Sequence, residues 1–245
     1  DMPRADYPRP QWMRNEWLCL NGPWEFAFDF CNSGRDHGMI TDGEYPLSIL
    51  VPFCPESKLS GIGFEDFMAA VWYRRILKLE KPVGKRALLH FGAVDYACEI
   101  WVNGISCGTH KGGYSSFTVD VTDALQDGEN TIVVNAQDDL RSHKQPSGKQ
   151  KITHFQWAAY TRTTGIWQTV WMEFVSEKYL SHAKMIPNGA DGLINIALTG
   201  VGTRPGDRVH LTAFYDGKQV GETTASFSGT FANACIQVDE IHLWD

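Results

Sequence analysis

The sequence predicts an all-β protein built as two sandwiches in series, and three observations carry that reading. Short alternating or continuously apolar runs recur along the chain, each enclosed by Gly, Pro, Asn or Asp. Aromatic residues make up 12% of the chain, 9 of them Trp, a composition suited to pleated, half-buried surfaces. No helical apolar periodicity extends beyond about two turns, so no amphipathic helix is readable.

The elements follow in order. Over residues 24–30, Trp24, Phe26 and Phe28 alternate with Glu25, Ala27 and Asp29, the pattern of a strand with one buried face. Residues 71–79 are rich in β-branched and aromatic side chains, and 87–91, 97–102 and 131–136 read as further strands. Residues 166–175 read as one long strand. Asn103-Gly104 marks a hairpin because both residues tolerate positive φ, and Asp127-Gly128 marks a second turn. Residues 123–126 form at most one short helical turn. Trp101, between Ile100 and Val102, reads as a packing residue rather than a sugar platform. Long connections are expected at 31–46, 55–70 and 138–162, and connections of that length are functional or disordered. Near 179–191 the pattern breaks at Pro187-Asn188-Gly189. Beyond it, 192–199, 208–215, 223–228 and 234–238 read as four short strands with a hairpin at Asp216-Gly217. That spacing suggests a small immunoglobulin-like sandwich. The chain is thereby divided into domains 1–180 and 181–245.

A chain of 245 residues can form two domains with real cores. Its net charge of -7 and the lack of any basic run argue against nucleic-acid and anionic-membrane partners. No apolar run is long enough to span a bilayer. No signal peptide is readable, and the chain starts at Asp1, as it would after leader cleavage or in a shortened chain. The 6 cysteines form no Cys-x-x-Cys and no Cys/His set with zinc spacing, so neither metal nor cofactor is expected. Free thiols and the absence of an Asn-x-Ser/Thr sequon favour a bacterial cytoplasm over secretion.

Several segments together resemble the amino-terminal part of family 2 glycoside hydrolases, the family of β-galactosidases and β-glucuronidases. They are Tyr7-Pro8-Arg9-Pro10, Leu20-Asn21-Gly22-Pro23-Trp24-Glu25-Phe26, Val51-Pro52-Phe53 with Pro55-Glu56-Ser57, and Val71-Trp72-Tyr73-Arg74-Arg75. Leu89 to Tyr96, Ile100-Trp101-Val102-Asn103-Gly104 and His110-Lys111-Gly112-Gly113-Tyr114 with Phe117 continue the series. Thr161-Arg162-Thr163-Thr164-Gly165-Ile166-Trp167-Gln168 closes it. Single pieces are weak, but their order and spacing together are specific.

The resemblance implies a jelly-roll sandwich like galactose-binding modules, then an immunoglobulin-like domain, incomplete at its C-terminus here because Ile241-His242-Leu243-Trp244 resembles the segment before that domain's last strand. A (β/α)8 barrel with two catalytic glutamates follows in such enzymes. The chain is therefore expected to be a non-catalytic portion of a retaining exo-β-glycosidase. Its partners would be the carbohydrate substrate and its own C-terminal barrel, with self-association left open.

The residues themselves agree, because no carboxylate pair is flagged by its surroundings as acid and nucleophile. Asp138-Asp139 is the nearest, but adjacent strand residues face opposite ways, and the pair reads as a strand end. His110 with Gly112-Gly113-Tyr114 reads as loop-ordering. The 138–162 loop carries Arg141, His143, Lys144, Lys149, Gln150, His154, Gln156, Trp157, Tyr160 and Arg162, too polar and aromatic a mixture for a minimal connector. The resembled enzymes place an acidic sugar-binding side chain at the position of Ala159. The substrate-binding candidates are accordingly Gln156, Tyr160 and Arg162. Two rival readings remain: a stand-alone carbohydrate-binding module, and a structural β-sandwich with no sugar role.

Overall fold

The structure, a computed structural model, describes residues 2–150 and 158–243. The chain divides into two compact units, Asp1–Phe174 and Val175–Asp245. Among the described residues it is all β, with 3-10 turns as its helical content.

The first unit is a sandwich. Its six-stranded sheet runs in the order Leu47–Val51, Gly22–Asp29, Ala70–Leu79, Gly128–Gln137, Ala97–Val102, Ile105–Lys111. The facing sheet runs Trp17–Cys19, Val170–Ser176, Lys85–Phe91, Phe117–Asp120. Alternation decides which side chains meet between them. Trp24, Phe26, Val71 and Tyr73 point inward with Leu89, Phe91, Ile100, Val134 and Met172, all nearly without exposure. Burying a large apolar side chain is worth about 1.5–3 kcal/mol, so this layer dominates the unit's stability. The Trp24 indole N–H donates to Leu20 O at 2.7 Å, which lets a polar group sit in that layer.

The intervening residues of the central strands form a second, smaller core on the outer face. Ala27, Trp72, Trp101 and Val133 lie there under Met39, Ile40 and Tyr45. Trp101 is buried and stacks on Trp72, with ring centroids 5.7 Å apart. The 31–46 connection is thus a cover for two tryptophans. Asp29 fastens it, accepting from Ser33 N and Gly34 N at 2.8 Å and from the Trp72 indole at 2.9 Å.

Asn103 and Gly104 adopt φ of +52° and +78°, and Asp216 and Gly217 adopt +47° and +77°, so both hairpin turns form where Asn-Gly and Asp-Gly stand. Two expectations are corrected. Residues 166–175 are not one strand. A two-residue strand, Gly165–Ile166, pairs with Val94–Asp95, and the chain re-enters the sheet only at Val170–Ser176. Gly92 N donates to Thr169 O at 2.9 Å across that break. Residues 179–188, over which no strand was expected, form the strand Tyr179–Asn188.

The second unit pairs Tyr179–Asn188, Leu193–Val201 and Phe231–Gln237 in one sheet, and Arg208–Tyr215 with Lys218–Ser226 in another. Ile196, Leu198, Phe227, Ala232 and Ile236 form its core. Among the described residues the second sheet has two strands, so the strand Arg208–Tyr215 has a free edge, the liability expected of a sandwich short of strands.

Gly165 ties the small ribbon to the main core. Its φ is +74°, and a Cβ there would overlap the Tyr73 hydroxyl, which accepts from Ile166 N at 3.2 Å. Gly165→Ala is expected to cost at least about 1 kcal/mol, because the added methyl meets both a disfavoured backbone and a buried neighbour. Urea denaturation checks this, and an unchanged midpoint refutes it.

Candidate functional site

The ribbon of Val94–Asp95 and Gly165–Ile166 brings four distant segments together. Arg162 sits at their centre, 2% exposed. Its Nη2 donates to Met68 O and Thr164 Oγ1 at 3.1 and 3.0 Å, and to Asp138 O and Oδ2 at 3.3 Å. Thr164 donates its hydroxyl to Asp138 Oδ2 at 3.1 Å and its backbone N–H to Glu56 Oε2 at 3.1 Å. Arg162 also lies over the Phe67 ring at 4.7 Å, with Arg141 over the same ring at 3.1 Å.

One buried guanidinium thus pairs directly with Asp138 and lies near enough to Glu56 and Asp95 for both to feel its charge. Burial, reinforced by the neighbouring Asp138 and Glu56 charges, pushes Asp95 up to about 7, although the Gln150 hydrogen bond and Arg162 oppose it. Burial also raises Glu56, against the Thr164 hydrogen bonds and Arg162. Asp95 and Glu56 are thus inclined to hold protons, while Asp138 carries the direct ion pair to Arg162.

Above this cluster lies the base of the 138–162 loop. Gln145 Nε2 donates to Asp138 Oδ1 at 2.6 Å. Tyr160 N donates to Lys149 O at 2.9 Å, closing the loop on itself. Gln150 does most of the joining: Oε1 accepts from Thr163 N at 2.8 Å, and Nε2 donates to Asp95 Oδ2 at 3.0 Å and reaches Tyr114 Oη at 3.4 Å.

The three sequence candidates fall in different environments. Gln156 lies outside the described residues. Tyr160 is 63% exposed. Arg162 is turned inward to the carboxylates. Ala159 is buried at the foot of the same segment. The sequence did not single out Glu56, Asp95, Thr164 or Trp167 as site residues. Their signal lay in the Pro55-Glu56-Ser57, Leu89 to Tyr96 and Thr164-Gly165-Ile166-Trp167 motifs, but which distant partners those motifs meet depends on the fold. Asp138 does end a strand, as expected, and its carboxylate then serves Arg162. Among the described residues no group of three His, Cys, Asp or Glu side chains is placed to hold a metal. Chemically, the described part offers a rigid polar floor and exposed aromatic side chains at one end of the sandwich.

Residues 66–169 match the family model described as glycosyl hydrolase 2 galactose-binding domain-like. A β-galactosidase from Thermoanaerobacter pseudethanolicus is 29% identical over 137 residues, covering 55% of this chain and 18% of the relative. A β-glucuronidase from Canis lupus familiaris is 24% identical over 97% of this chain and 40% of the relative. Among solved structures, a β-glucuronidase from Ruminococcus gnavus superposes with a TM-score of 0.75 at 22% identity, covering 98% of this chain and 42% of that one. The chain thus matches the fold of that enzyme's corresponding part and spans less than half the length of these relatives.

Proposed function

We propose, from the premise that residues 66–169 carry the galactose-binding domain-like module of glycosyl hydrolase family 2, that this chain acts as a non-catalytic portion of a longer β-glycosidase and rims its sugar site. Similarity to enzymes named β-galactosidase and β-glucuronidase supports the substrate class, a β-linked sugar. The observation that carries the non-catalytic role is the use made of the carboxylates. Glu56 and Asp138 are nearly without exposure and committed to Thr164 and Arg162, and Asp95 is packed against Gln150. A retaining hydrolase needs two carboxyl groups about 5–5.5 Å apart facing an open sugar cleft. These three face inward.

On this reading Tyr160 and Gln156 contact the sugar, and Arg162 acts as a positioning residue beneath them. Ala159 offers no acceptor, so the sugar hydroxyl that an acidic residue would bind is left to its neighbours.

The test is turnover of chromogenic β-galactoside, β-glucuronide and β-mannoside. The isolated chain is expected to give none, and a protein extended through a catalytic barrel is expected to cleave at least one. Activity of the isolated chain that co-purifies through successive columns overturns the non-catalytic role. An extended protein inactive on all three counts against the substrate class.

A further inference from the structure

The rim contains an exposed aromatic group with fixed neighbours on two sides. Tyr114 is 70% exposed, yet its ring stands edge-on to Trp167 at 5.6 Å and 69°, and its hydroxyl lies 3.4 Å from Gln150 Nε2. Trp167 is itself fixed, donating its indole N–H to Gly113 O at 2.7 Å. Gly113 packs so closely on Asp95 that a Cβ would overlap the carboxyl group. His110 stacks on Phe117 at 4.1 Å and hydrogen-bonds Gly112 O at 3.1 Å and Ser115 Oγ at 3.2 Å, bracing the other side of the turn. A solvated tyrosine needs none of these restraints. Restraint in an exposed side chain lowers the rotamer entropy lost on binding, the usual mark of a contact surface prepared in advance.

We propose that Tyr114 is a saccharide-contacting residue and that Gln150 is the residue that positions it. The ligand is a pyranose ring lying on the free face of Tyr114, with the carboxamide of Gln150 and the Ser115 hydroxyl beside it for sugar hydroxyls. The chemistry favours a sugar over a purely apolar ligand, because one aromatic face bordered by an amide and a hydroxyl matches a ring with C–H faces and a hydroxyl edge. Gln150 joins the two halves of the rim, since the same carboxamide holds Thr163 N at 2.8 Å and Asp95 at 3.0 Å. The placement of Tyr114 and of the segment carrying Tyr160 is thus set together. The inference rests on the glycosidase reading for the identity of the sugar, not for the existence of the shelf.

The test titrates this chain, labelled with nitrogen-15, with methyl β-D-glucuronide and methyl β-D-galactoside. The Trp167 indole N–H signal is the readout, assigned by its loss in Trp167→Phe. A saturable shift is expected with at least one sugar, and Tyr114→Ala should weaken it about tenfold, the scale of one aromatic contact. Gln150→Ala should weaken it with little change in melting temperature. Gln150→Glu sets a carboxylate against Asp95: near pH 5 one shared proton restores the link and binding, and near pH 8 repulsion abolishes both, whereas in the parent chain the neutral amide donates to Asp95 in either protonation state and binding persists at both pH values. A merely structural Gln150 gives no such sugar-binding profile. The proposal is overturned if neither sugar shifts the signal, or if Tyr114→Ala and Gln150→Ala bind like the parent. An extended enzyme separates the readings. Cleavage with a KM untouched by Tyr114→Ala sinks the shelf and leaves the glycosidase intact. Sugar binding through Tyr114 in a protein that cleaves nothing does the reverse.

Discussion

Arg162→Leu is expected to lower the stability of the first unit by about 3–5 kcal/mol at neutral pH, the cost of removing one member of a buried ion pair. For a domain of this size that is a fall in Tm on the order of 10 °C. Both partners are inaccessible, with side-chain exposures of 1% for Arg162 and 0% for Asp138, so water cannot replace the lost guanidinium. The loss extends beyond one pair. Asp95 and Glu56 also feel the Arg162 charge, and without it three buried carboxyl groups face one another.

The pH dependence follows from the direction of the shifts. Asp95 is held at about 7, above the ordinary aspartate value, so between those two points the native state binds more protons than the unfolded state. Stability from this group is therefore present at low pH and lost as pH rises towards 7. Arg162→Leu should steepen that fall, because each carboxylate then repels the others uncompensated. Calorimetry at pH 5.5 and pH 7.5 measures it: the deficit of the variant should be clearly smaller at the lower pH. Asp95→Asn in the parent background should flatten the same slope while keeping an acceptor for Gln150. Equal melting temperatures for Arg162→Leu and the parent at both pH values would show that the guanidinium does not hold this cluster.

What could be read in advance follows from whether the signal was local. The Asn103-Gly104 and Asp216-Gly217 turns were legible because positive φ is a property of those residues themselves. The inward placement of Trp24 and Phe26 was legible from their alternation, but the expectation of a single buried face fails, because Ala27 and Asp29 are buried on the other side under the 31–46 connection. The strand Tyr179–Asn188 was not, because most of its residues are exposed and no alternation marks a buried face. Ile105–Lys111 was implied by the Asn103-Gly104 hairpin, but its bounds were not legible, because it is an edge strand, largely open to solvent, with a bulge opposite Trp101. The break at Trp167 to Thr169 inside an apolar run has no compositional mark, because it is imposed by the pairing of Gly165–Ile166 with Val94–Asp95. At the site, the Thr161 to Gln168 motif was plain. What it binds was not, since Arg162 meets Asp138, and Thr164 meets Glu56, across separations of 24 and 108 residues.

Glu173→Gln is the second large effect expected, and it acts at the opposite face of the same sandwich layer. The strand Val170–Ser176 turns Met172 into the core and Glu173 outward, yet Glu173 has no exposure, because residues 7–14 close over it. Arg9 Nη2 donates to Glu173 Oε1 and Oε2 at 3.0 and 2.9 Å, Arg14 Nε to Oε2 at 3.1 Å, and His90 Nε2 lies 3.0 Å from Oε2. The Tyr7 hydroxyl also donates to it. Burial alone would raise this carboxyl, but the hydrogen bonds from His90 and Tyr7, with the neighbouring positive charge, hold it at about 2. Burial dominates at His90 and lowers its value, so the imidazole is neutral at pH 7 and the two guanidinia carry the charge balance.

Glutamine keeps the shape and turns a donor towards donors. The expected loss is about 2–3 kcal/mol, below the fully buried case, because Arg9 and Arg14 are 29% and 20% exposed and can turn to water. Acid titration separates the groups. As pH falls below the ordinary histidine value, the native state resists protonating His90, the unfolded state binds the extra proton, and stability declines in the parent and more steeply in the variant, where Glu173 no longer favours the imidazolium. Below the ordinary glutamate value the parent declines again, down to about 2, as Glu173 finally takes its proton. That second limb should be missing from Glu173→Gln. Trypsin should also cut the variant faster after Arg14, since the segment loses its anchor; Arg9 is followed by Pro10 and resists cleavage in both proteins. An acid limb below pH 4 that is the same in both proteins would place the titrating group elsewhere.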